Sequence, residues 1–413
     1  MRAHVGSGAI DTGRSVVPGL IKMFRQHRCP GSNGQSGGVI RPFLILLFAG
    51  LLLTGCASLP ENYPRMSTHA FAAPETTQTG AYFAKQAARQ PGKSGFGIVR
   101  YGRPAFTTRV AMSDLAEETL DVQYYIWEAD ATGRILIDRL VRAADRGVRV
   151  RLLLDDINIK GRDAYVAALD THPNIEIRMF NPFANRGTPG LGFLTDFNRV
   201  NHRMHNKLMV MDNSLALVGG RNIGNHYFDV AQDANFRDLD IAAGGPVVRE
   251  ISSVFDRFWN GEWSYPISAL VDRIYTEADL RATVEKLREQ MVLDDYPHPL
   301  DQDVAALKSE LKGLFDEFIW APGRIVWDDP ASLKREGSTS EMMEALVRRL
   351  DRVDEELLIE SAYFVMRGPG VEKLAGLVDK GVRVRVLTNS LASNDVLAAH
   401  AGYAERRDDL LAG

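Results

Sequence analysis

The 413-residue sequence is poor in cysteine and in charge of one sign, and these shortages exclude several classes of protein. Two cysteines cannot form a disulfide framework. A formal net charge of −4, with 25% charged and 45% hydrophobic residues, is ordinary for globular proteins and excludes both disorder and a polytopic membrane protein. A chain of this length is expected to fold into two or three domains with a large buried core.

The charge is unevenly distributed along the chain. Six of the 49 lysines and arginines, but only one of the 53 acidic residues, precede residue 56, so the remainder is net negative by about 9. A net negative chain is a poor nucleic-acid binder, because neutralisation of phosphates by lysine and arginine supplies most non-specific affinity. No nucleic-acid partner is therefore expected.

The N-terminal region resembles a targeting signal rather than part of a folded domain. An apolar run over 42–53 is too short to span a bilayer but suits a signal peptide. It leads into Leu-Thr-Gly-Cys, which resembles the bacterial lipobox and predicts cleavage before Cys56 and lipidation of its thiol. Ala57 after the cysteine favours the outer membrane, whereas a short buried helix is the plainer alternative. Residues 1–38 lack a hydrophobic period and suggest an over-extended start.

An internal repeat organises the rest of the chain. Each copy predicts a strand, a helix and a second strand, with a glycine, Gly147 or Gly381, ending the helix where a left-handed backbone is needed. Two such units in tandem predict an α/β fold made of two similar halves. The repeated blocks are residues 119–127 with 145–154, and residues 357–365 with 379–388.

Residues 201–212 contain the strongest chemical signal in the sequence. If this segment is a strand, alternation places Arg203, His205 and Lys207 on one face. An imidazole between two cations suits a phosphate diester, because the cations hold non-bridging oxygens while the imidazole attacks phosphorus. Asp212 follows at a turn, and after a return strand Gly219-Gly220 precedes Asn222, whose amide can donate to a phosphate oxygen.

His-x-Lys-x4-Asp followed by Gly-Gly-x-Asn resembles the signature of the phospholipase D superfamily. A surface strand with a stray histidine is the alternative, but placement inside a tandem α/β repeat argues against it. Longer segments look like the bacterial cardiolipin synthase C type, and the resemblance runs from about residue 95 to residue 413. These segments are residues 119–127, 203–207, 218–224, 387–395 and 400–404.

The resemblance implies a mixed sheet flanked by helices and assigns roles to the motif residues. His205 resembles the nucleophile that forms a phosphohistidine, and Lys207 and Asn222 match phosphate-binding positions. Asp212 matches the aspartate of the catalytic motif, which is usually an orienting or structural partner. It implies no metal and no cofactor. The expected enzyme is a phosphatidyl transferase acting on phosphatidylglycerol and a second phospholipid. The alternatives are a phospholipase D hydrolase, a nuclease, and a non-catalytic membrane-anchored fragment.

Other polar and aromatic groups favour structural interpretations. Asp155 and Asp156 could hold a metal, but carboxylates at the end of such a strand more often cap helices or contact substrate. Asp238 and Asp240 alternate along a predicted strand and are interpreted as structural. Aromatic residues at strand spacing usually belong to the core, although they could contact acyl chains. The aromatic residues concerned are Tyr124, Tyr125 and Trp127.

The domain organisation follows from these observations. The predicted segments are a removed leader (1–55), a linker behind the lipid anchor (56–94), a first half carrying the motif (95–270), a helical connecting insertion (271–345) and an incomplete second half (346–413), expected to be truncated before its motif. The second half has no His-x-Lys-x4-Asp of its own. Because the superfamily site combines two motifs, we expect weak activity from this chain alone. The predicted location is the bacterial cell envelope, and the sequence leaves the oligomeric state open.

Overall fold

A computed structural model describes residues 58–159, 161–188, 196–294, 296–297, 303–334, 340–366, 368–394 and 396–412. The predicted leader and the lipidation site, Cys56, lie outside the described residues. Within the described ranges, no helix is both long and apolar enough to cross a membrane.

Nine strands of the described chain form a mixed sheet in the order β8-β4-β3-β2-β5-β6-β7-β1-β9. Parallel pairing links β2 to β3 and β3 to β4, and the other neighbours are antiparallel. The strands are β1 Ser94–Val99, β2 Thr119–Tyr124, β3 Arg149–Asp155, β4 Ile175–Phe180, β5 Leu208–Met211, β6 Leu215–Gly219, β7 Asp240–Gly244, β8 Ser264–Pro266 and β9 Ile319–Ala321. A separate parallel pair consists of β10 Glu356–Glu360 and β11 Arg383–Leu387.

Helices cover both faces of the large sheet, which confirms the predicted α/β fold with a mixed sheet. The helices are α1 Gln78–Arg89, α2 Gly102–Leu115, α3 Ala131–Asp145, α4 Asp163–Leu169, α5 Phe197–Val200, α6 Val247–Trp259, α7 Glu277–Leu293, α8 Val304–Asp316, α9 Glu341–Leu350, α10 Gly368–Val378, α11 Leu397–Ala404 and α12 Arg407–Ala412. One buried cluster joins α2, α3 and α7 to the sheet, and a second joins α6 to its other face. Burial on both faces explains why β2 is buried at every position.

The register of β2 sets the position of the candidate site. Thr119 pairs with Arg149 in the parallel neighbour β3, whereas Gln123 pairs with Leu208 in the antiparallel neighbour β5. The carboxyl ends of β2 and β3 therefore meet the amino end of β5 at one edge of the sheet. Ligands of open α/β sheets usually bind at the carboxyl ends of the strands.

Both repeated blocks form a strand, a helix and a parallel strand, namely β2-α3-β3 and β10-α10-β11. Gly147 has φ +100° and Gly381 has φ +87°, so both helices end at a left-handed glycine as predicted. Asp130 begins α3, because its side chain accepts a hydrogen bond from the Gly133 amide.

Two predicted segments, the linker and the insertion, make contacts with the first half of the chain. The described part of the predicted linker, 58–94, packs on the first half: Thr68 accepts from Arg151 Nη1 at its carbonyl (2.8 Å), and the Ala70 amide donates to Asp256 (2.9 Å). The predicted insertion contributes β9 to the large sheet and apolar residues of α7 and α8 to its core. Helical periodicity predicted α7 and α8, but a tertiary contact of a three-residue strand leaves no such pattern.

Candidate active site

The motif segment 202–207 is not a strand, which corrects the expectation from alternation. Regular pairing begins at Leu208, although the Gly219 amide also donates to the carbonyl of Lys207 (3.2 Å). Before that point the backbone turns toward β3, where the Met204 amide donates to Asp155 Oδ2 (2.7 Å). A side-chain carboxylate thus replaces the neighbouring strand as the partner of this backbone.

Arg203 does not flank a phosphate position, contrary to the prediction. Its guanidinium is 10% exposed and donates to Asp155 Oδ1 (3.1 Å), to the carbonyl of Val200 (2.6 Å) and to that of Asn181 (3.0 Å). It also lies over the Phe183 ring, 5.0 Å from the centroid. These contacts brace the loop, so Lys207 is the motif cation that stays with His205.

His205 is exposed, and its ring contacts Tyr125 at the end of β2 with centroids 4.7 Å apart. Partial burial, together with the nearby Lys207 ammonium, lowers the pKa of His205 to about 4. The imidazole is therefore neutral at physiological pH and keeps an unprotonated nitrogen. A neutral imidazole that solvent can reach is competent as a nucleophile.

Lys207 is buried, and its Nζ donates to the carbonyl of His205 (2.7 Å). The same Nζ lies 5.1 Å from the centroid of the Tyr125 ring. Burial lowers the pKa of Lys207 to about 8, while the carboxylates of Asp238 and Asp155 oppose this shift. The side chain is therefore mostly protonated at neutral pH and places a positive charge beside His205.

Asn222 is buried with both ends of its amide already engaged. Its Oδ1 accepts from the Ile126 amide (3.0 Å), and its Nδ2 donates to the Tyr227 hydroxyl (2.9 Å). It thereby joins the residues that follow β2 to those that follow β6. An amide has two N–H groups, so Nδ2 keeps donor capacity beyond the bond to Tyr227.

Asp212 lies at the opposite end of β5 from His205, and its side chain contacts the backbone that leads into β2. Its carboxylate accepts from the backbone amides of Thr119 (2.8 Å), Glu118 (2.8 Å) and Glu117 (3.0 Å), which lead into β2. It adopts φ +52° in the β5–β6 hairpin. These contacts tie the hairpin to the start of β2 and agree with the orienting or structural part that the motif aspartate usually has.

Gly219 and Gly220 allow close approach of the backbone to the carboxylates of Asp240 and Asp238. A Cβ at Gly219 would collide with Asp240, and one at Gly220 would collide with Asp238. Asp240 is fully buried between Arg109 and Arg221, as its structural interpretation predicted. Asp238 also acts on the charge of Lys207, so it adjoins the candidate site.

Asp155 and Tyr125 lie around His205, which the structural interpretations drawn from the sequence did not anticipate. Each lies at or just beyond the carboxyl end of a parallel strand, which is the signal that could have found them. Asp155 and Asp156 do not face each other as a metal pair, since Asp156 binds the Phe183 amide and Arg186 instead. Within the part of the chain that the structure describes, no group of metal-ligating side chains was found.

Several known proteins are similar to this chain in sequence or in fold. Residues 111–259 match the family described as "Cardiolipin synthase, PLD-like domain". Cardiolipin synthase C of Escherichia coli K12 is 42% identical over 329 residues, covering 78% of this chain and 68% of that protein. The cardiolipin synthase of Geobacillus kaustophilus is 32% identical over 39% of this chain and 31% of its own length. The crystal structure of phosphatidylserine synthase from Haemophilus influenzae superposes with a TM-score of 0.50 at 13% identity, covering 79% of this chain and 72% of that one.

The mixed sheet is thus that of a phospholipase D-like enzyme. The chain belongs to the phospholipase D superfamily and, within it, to the cardiolipin synthase C type. The predicted family is confirmed, and so is the prediction of an enzyme of the phosphatidyltransferase and phosphodiesterase class. The likeness to the Haemophilus structure concerns the fold alone.

Proposed function

We propose that the chain is a phosphatidyl transferase that exchanges phospholipid phosphodiesters through a covalent intermediate on His205. The observation that carries this proposal is the neutral, exposed imidazole beside the Lys207 ammonium. A neutral ring supplies the attacking electron pair, and the ammonium stabilises charge that develops on the phosphate oxygens. The relatives named as cardiolipin synthases support a phospholipid as the substrate.

The reaction proceeds in two balanced steps. An unprotonated nitrogen of His205 attacks phosphorus, an N–P bond forms, and the P–O bond to the head-group alcohol breaks. The leaving oxygen takes a proton from water, and the head-group alcohol departs. A glycerol hydroxyl of phosphatidylglycerol then attacks the phosphohistidine and gives its proton to the hydroxide left by the first step; the N–P bond breaks, cardiolipin and water form, and His205 is restored. Each step exchanges one phosphate bond for another, so the reaction requires neither a nucleotide nor a cofactor.

A transfer assay tests this proposal. The purified protein is incubated with mixed micelles of phosphatidylglycerol, and the products are separated by mass spectrometry. Cardiolipin and free glycerol are expected in equal amounts. His205→Ala is expected to lower the rate by at least about 10³-fold, because no covalent intermediate forms. Acid-labile, alkali-stable labelling of the wild-type protein with ³²P-phosphatidylglycerol would identify the phosphohistidine.

The same assay separates the alternatives. Phosphatidic acid as the main product would favour hydrolysis over transfer. Product formation that is unchanged in His205→Ala would contradict the proposed nucleophile. Retained binding of phosphatidylglycerol micelles without any product would favour a non-catalytic fragment that keeps part of a phosphate site.

For location, we propose a lipid anchor on Cys56 that holds the protein at the bacterial outer membrane, with phospholipid rather than nucleic acid as its partner. The support is the apolar run that ends in Leu-Thr-Gly-Cys. Metabolic labelling with a radioactive fatty acid is expected to mark the wild-type protein and not Cys56→Ser. Equal labelling of both proteins would contradict the anchor.

A further inference from the structure

A buried carboxylate lies beneath the loop that carries His205. Asp155 is the last residue of β3, is 1% exposed and accepts three hydrogen bonds. The donors are the amide of Met204 (2.7 Å), the guanidinium of Arg203 (3.1 Å) and the amide of Ile157 (2.9 Å). Two of the three donors belong to the residues that immediately precede His205.

This arrangement fixes the loop on both sides of the imidazole. Upstream, Asp155 holds the backbone of Met204 and the side chain of Arg203, and Arg203 is itself bound to two backbone carbonyls. Downstream, the Lys207 carbonyl accepts from Gly219. His205 and Asn206 therefore lie between two anchored points, and the direction of the His205 side chain depends on the Asp155 contacts.

The charges that face Asp155 come from two elements. Arg203 and Lys207 face it from the motif loop, and Tyr125 faces it from the end of β2. Burial raises the pKa of Asp155 to about 6, although Arg203 and the two amide donors oppose the shift. When protonated, the carboxyl group has lost an acceptor position and the charge that pairs with Arg203.

We propose that Asp155 is a positioning residue that holds His205 in line with the substrate phosphorus and loosens the loop when it is protonated. The proposal rests on the proposed role of His205 as nucleophile. It goes beyond that role because Asp155 is what orients the nucleophile, and because Arg203 supports the His205 loop rather than binding substrate.

The chain contains a matched control in the adjacent residue. Asp156 is 3% exposed, its pKa is also raised by burial, and it accepts from the Phe183 amide (2.8 Å) and from Arg186. No hydrogen bond joins it to residues 203–205 in the described structure. Asp155→Asn and Asp156→Asn therefore remove equally buried charges, and only the first releases the His205 loop.

Two measurements on the full chain test the proposal. In the transfer assay, Asp155→Asn is expected to lower kcat about 10²-fold with little change in KM, because a small misplacement of a reacting group is costly. The kcat of the wild type is expected to fall on the acidic side of about pH 6, and Asp155→Asn is expected to lack this decline. Asp156→Asn is expected to keep kcat within about threefold while losing similar thermal stability.

The second measurement needs no turnover. The ¹⁵N resonances of the His205 ring are followed by NMR without substrate, with His205→Ala for assignment. Asp155→Asn is expected to shift them and Asp156→Asn is not. Arg203→Gln removes the guanidinium that pairs with Asp155 and serves as the second variant if Asp155→Asn fails to fold. It is expected to shift the ¹⁵N resonances of the His205 ring in the same way.

The outcomes are distinguishable. If the protein has no transferase activity but its His205 ring resonances respond to Asp155→Asn, the positioning role of Asp155 is supported and only the proposed function is contradicted. Unchanged resonances in Asp155→Asn, or in Arg203→Gln where Asp155→Asn does not fold, would overturn the positioning role. An equal loss of kcat in the Asp155 and Asp156 variants would overturn it as well.

Discussion

The ring of Tyr125 lies against the ring of His205, with centroids 4.7 Å apart. The same phenol ring lies 5.1 Å from Lys207 Nζ. Tyr125 follows β2 and the motif residues precede β5, so the antiparallel pairing of these two strands brings the three side chains together. One aromatic side chain thus contacts both groups to which the proposed chemistry is assigned.

Tyr125→Ala is expected to lower kcat/KM about 5–30-fold, because the aromatic contacts with His205 and with the Lys207 ammonium are each worth roughly 0.5–1 kcal/mol. Tyr125→Phe keeps the ring and is expected to stay within about twofold of the wild type. Steady-state transfer kinetics of both variants check this. Equal losses in the two would show that the hydroxyl, and not the ring, matters.

Transfer activity is expected to decline as the pH rises through about 8. The pKa of Lys207 is lowered to about 8 by burial, so its charge is present below that pH and is lost above it. Lys207→Arg keeps a positive charge at all these values, since a guanidinium does not titrate there. Its activity is expected to be lower throughout but without the alkaline limb. A pH profile of kcat/KM distinguishes the two, and an unchanged limb in Lys207→Arg would assign it to another group.

Asp212→Ala is expected to cost about 3 kcal/mol of unfolding free energy, because three backbone amides lose a buried carboxylate acceptor. Urea unfolding measures the loss. The kcat of the folded fraction at low temperature is expected to stay within about threefold of the wild type, since Asp212 lies at the opposite end of β5 from His205. A 10³-fold loss of kcat without a loss of stability would instead support a catalytic role for Asp212.

Stability is expected to fall as the pH rises from about 4 to 7 because of Asp170. Burial raises the pKa of Asp170 to about 7, so the folded state binds a proton more tightly than the unfolded chain does. Its contribution to stability is therefore greatest below the unfolded pKa and is lost as the pH rises through about 7. Asp170→Asn keeps an acceptor for the Ile177 amide and is expected to gain about 1–2 kcal/mol at pH 8.

The gain should vanish at pH 4, where the wild-type carboxyl group is neutral in the folded state. Thermal unfolding of both proteins at the two pH values provides the comparison. A variant that is less stable than the wild type at pH 8 would mean that the ionised carboxylate is favourable in the fold.

Local sequence was sufficient for features that depend on neighbours along the chain. The strand-helix-strand blocks followed from hydrophobic runs and from glycines at which a helix must end, and Gly147 and Gly381 do adopt left-handed φ. The motif spacing was sufficient to select His205 and Lys207 and to predict the family, because these residue types at short spacing are chemically distinctive.

Features that depend on strand pairing could not be predicted in this way. Alternation placed Arg203 beside His205, but the loop turns to Asp155, 48 residues earlier, and buries the guanidinium. The contacts of Asp212 could not be predicted because its partners are amides some 93 to 95 residues away. Sequence alone thus determined which residues can carry the chemistry, while tertiary structure decided which of them share a site. The physical reason is that a side chain's partners depend on which distant strands and loops pack together, and the residues next to it along the chain do not specify that packing.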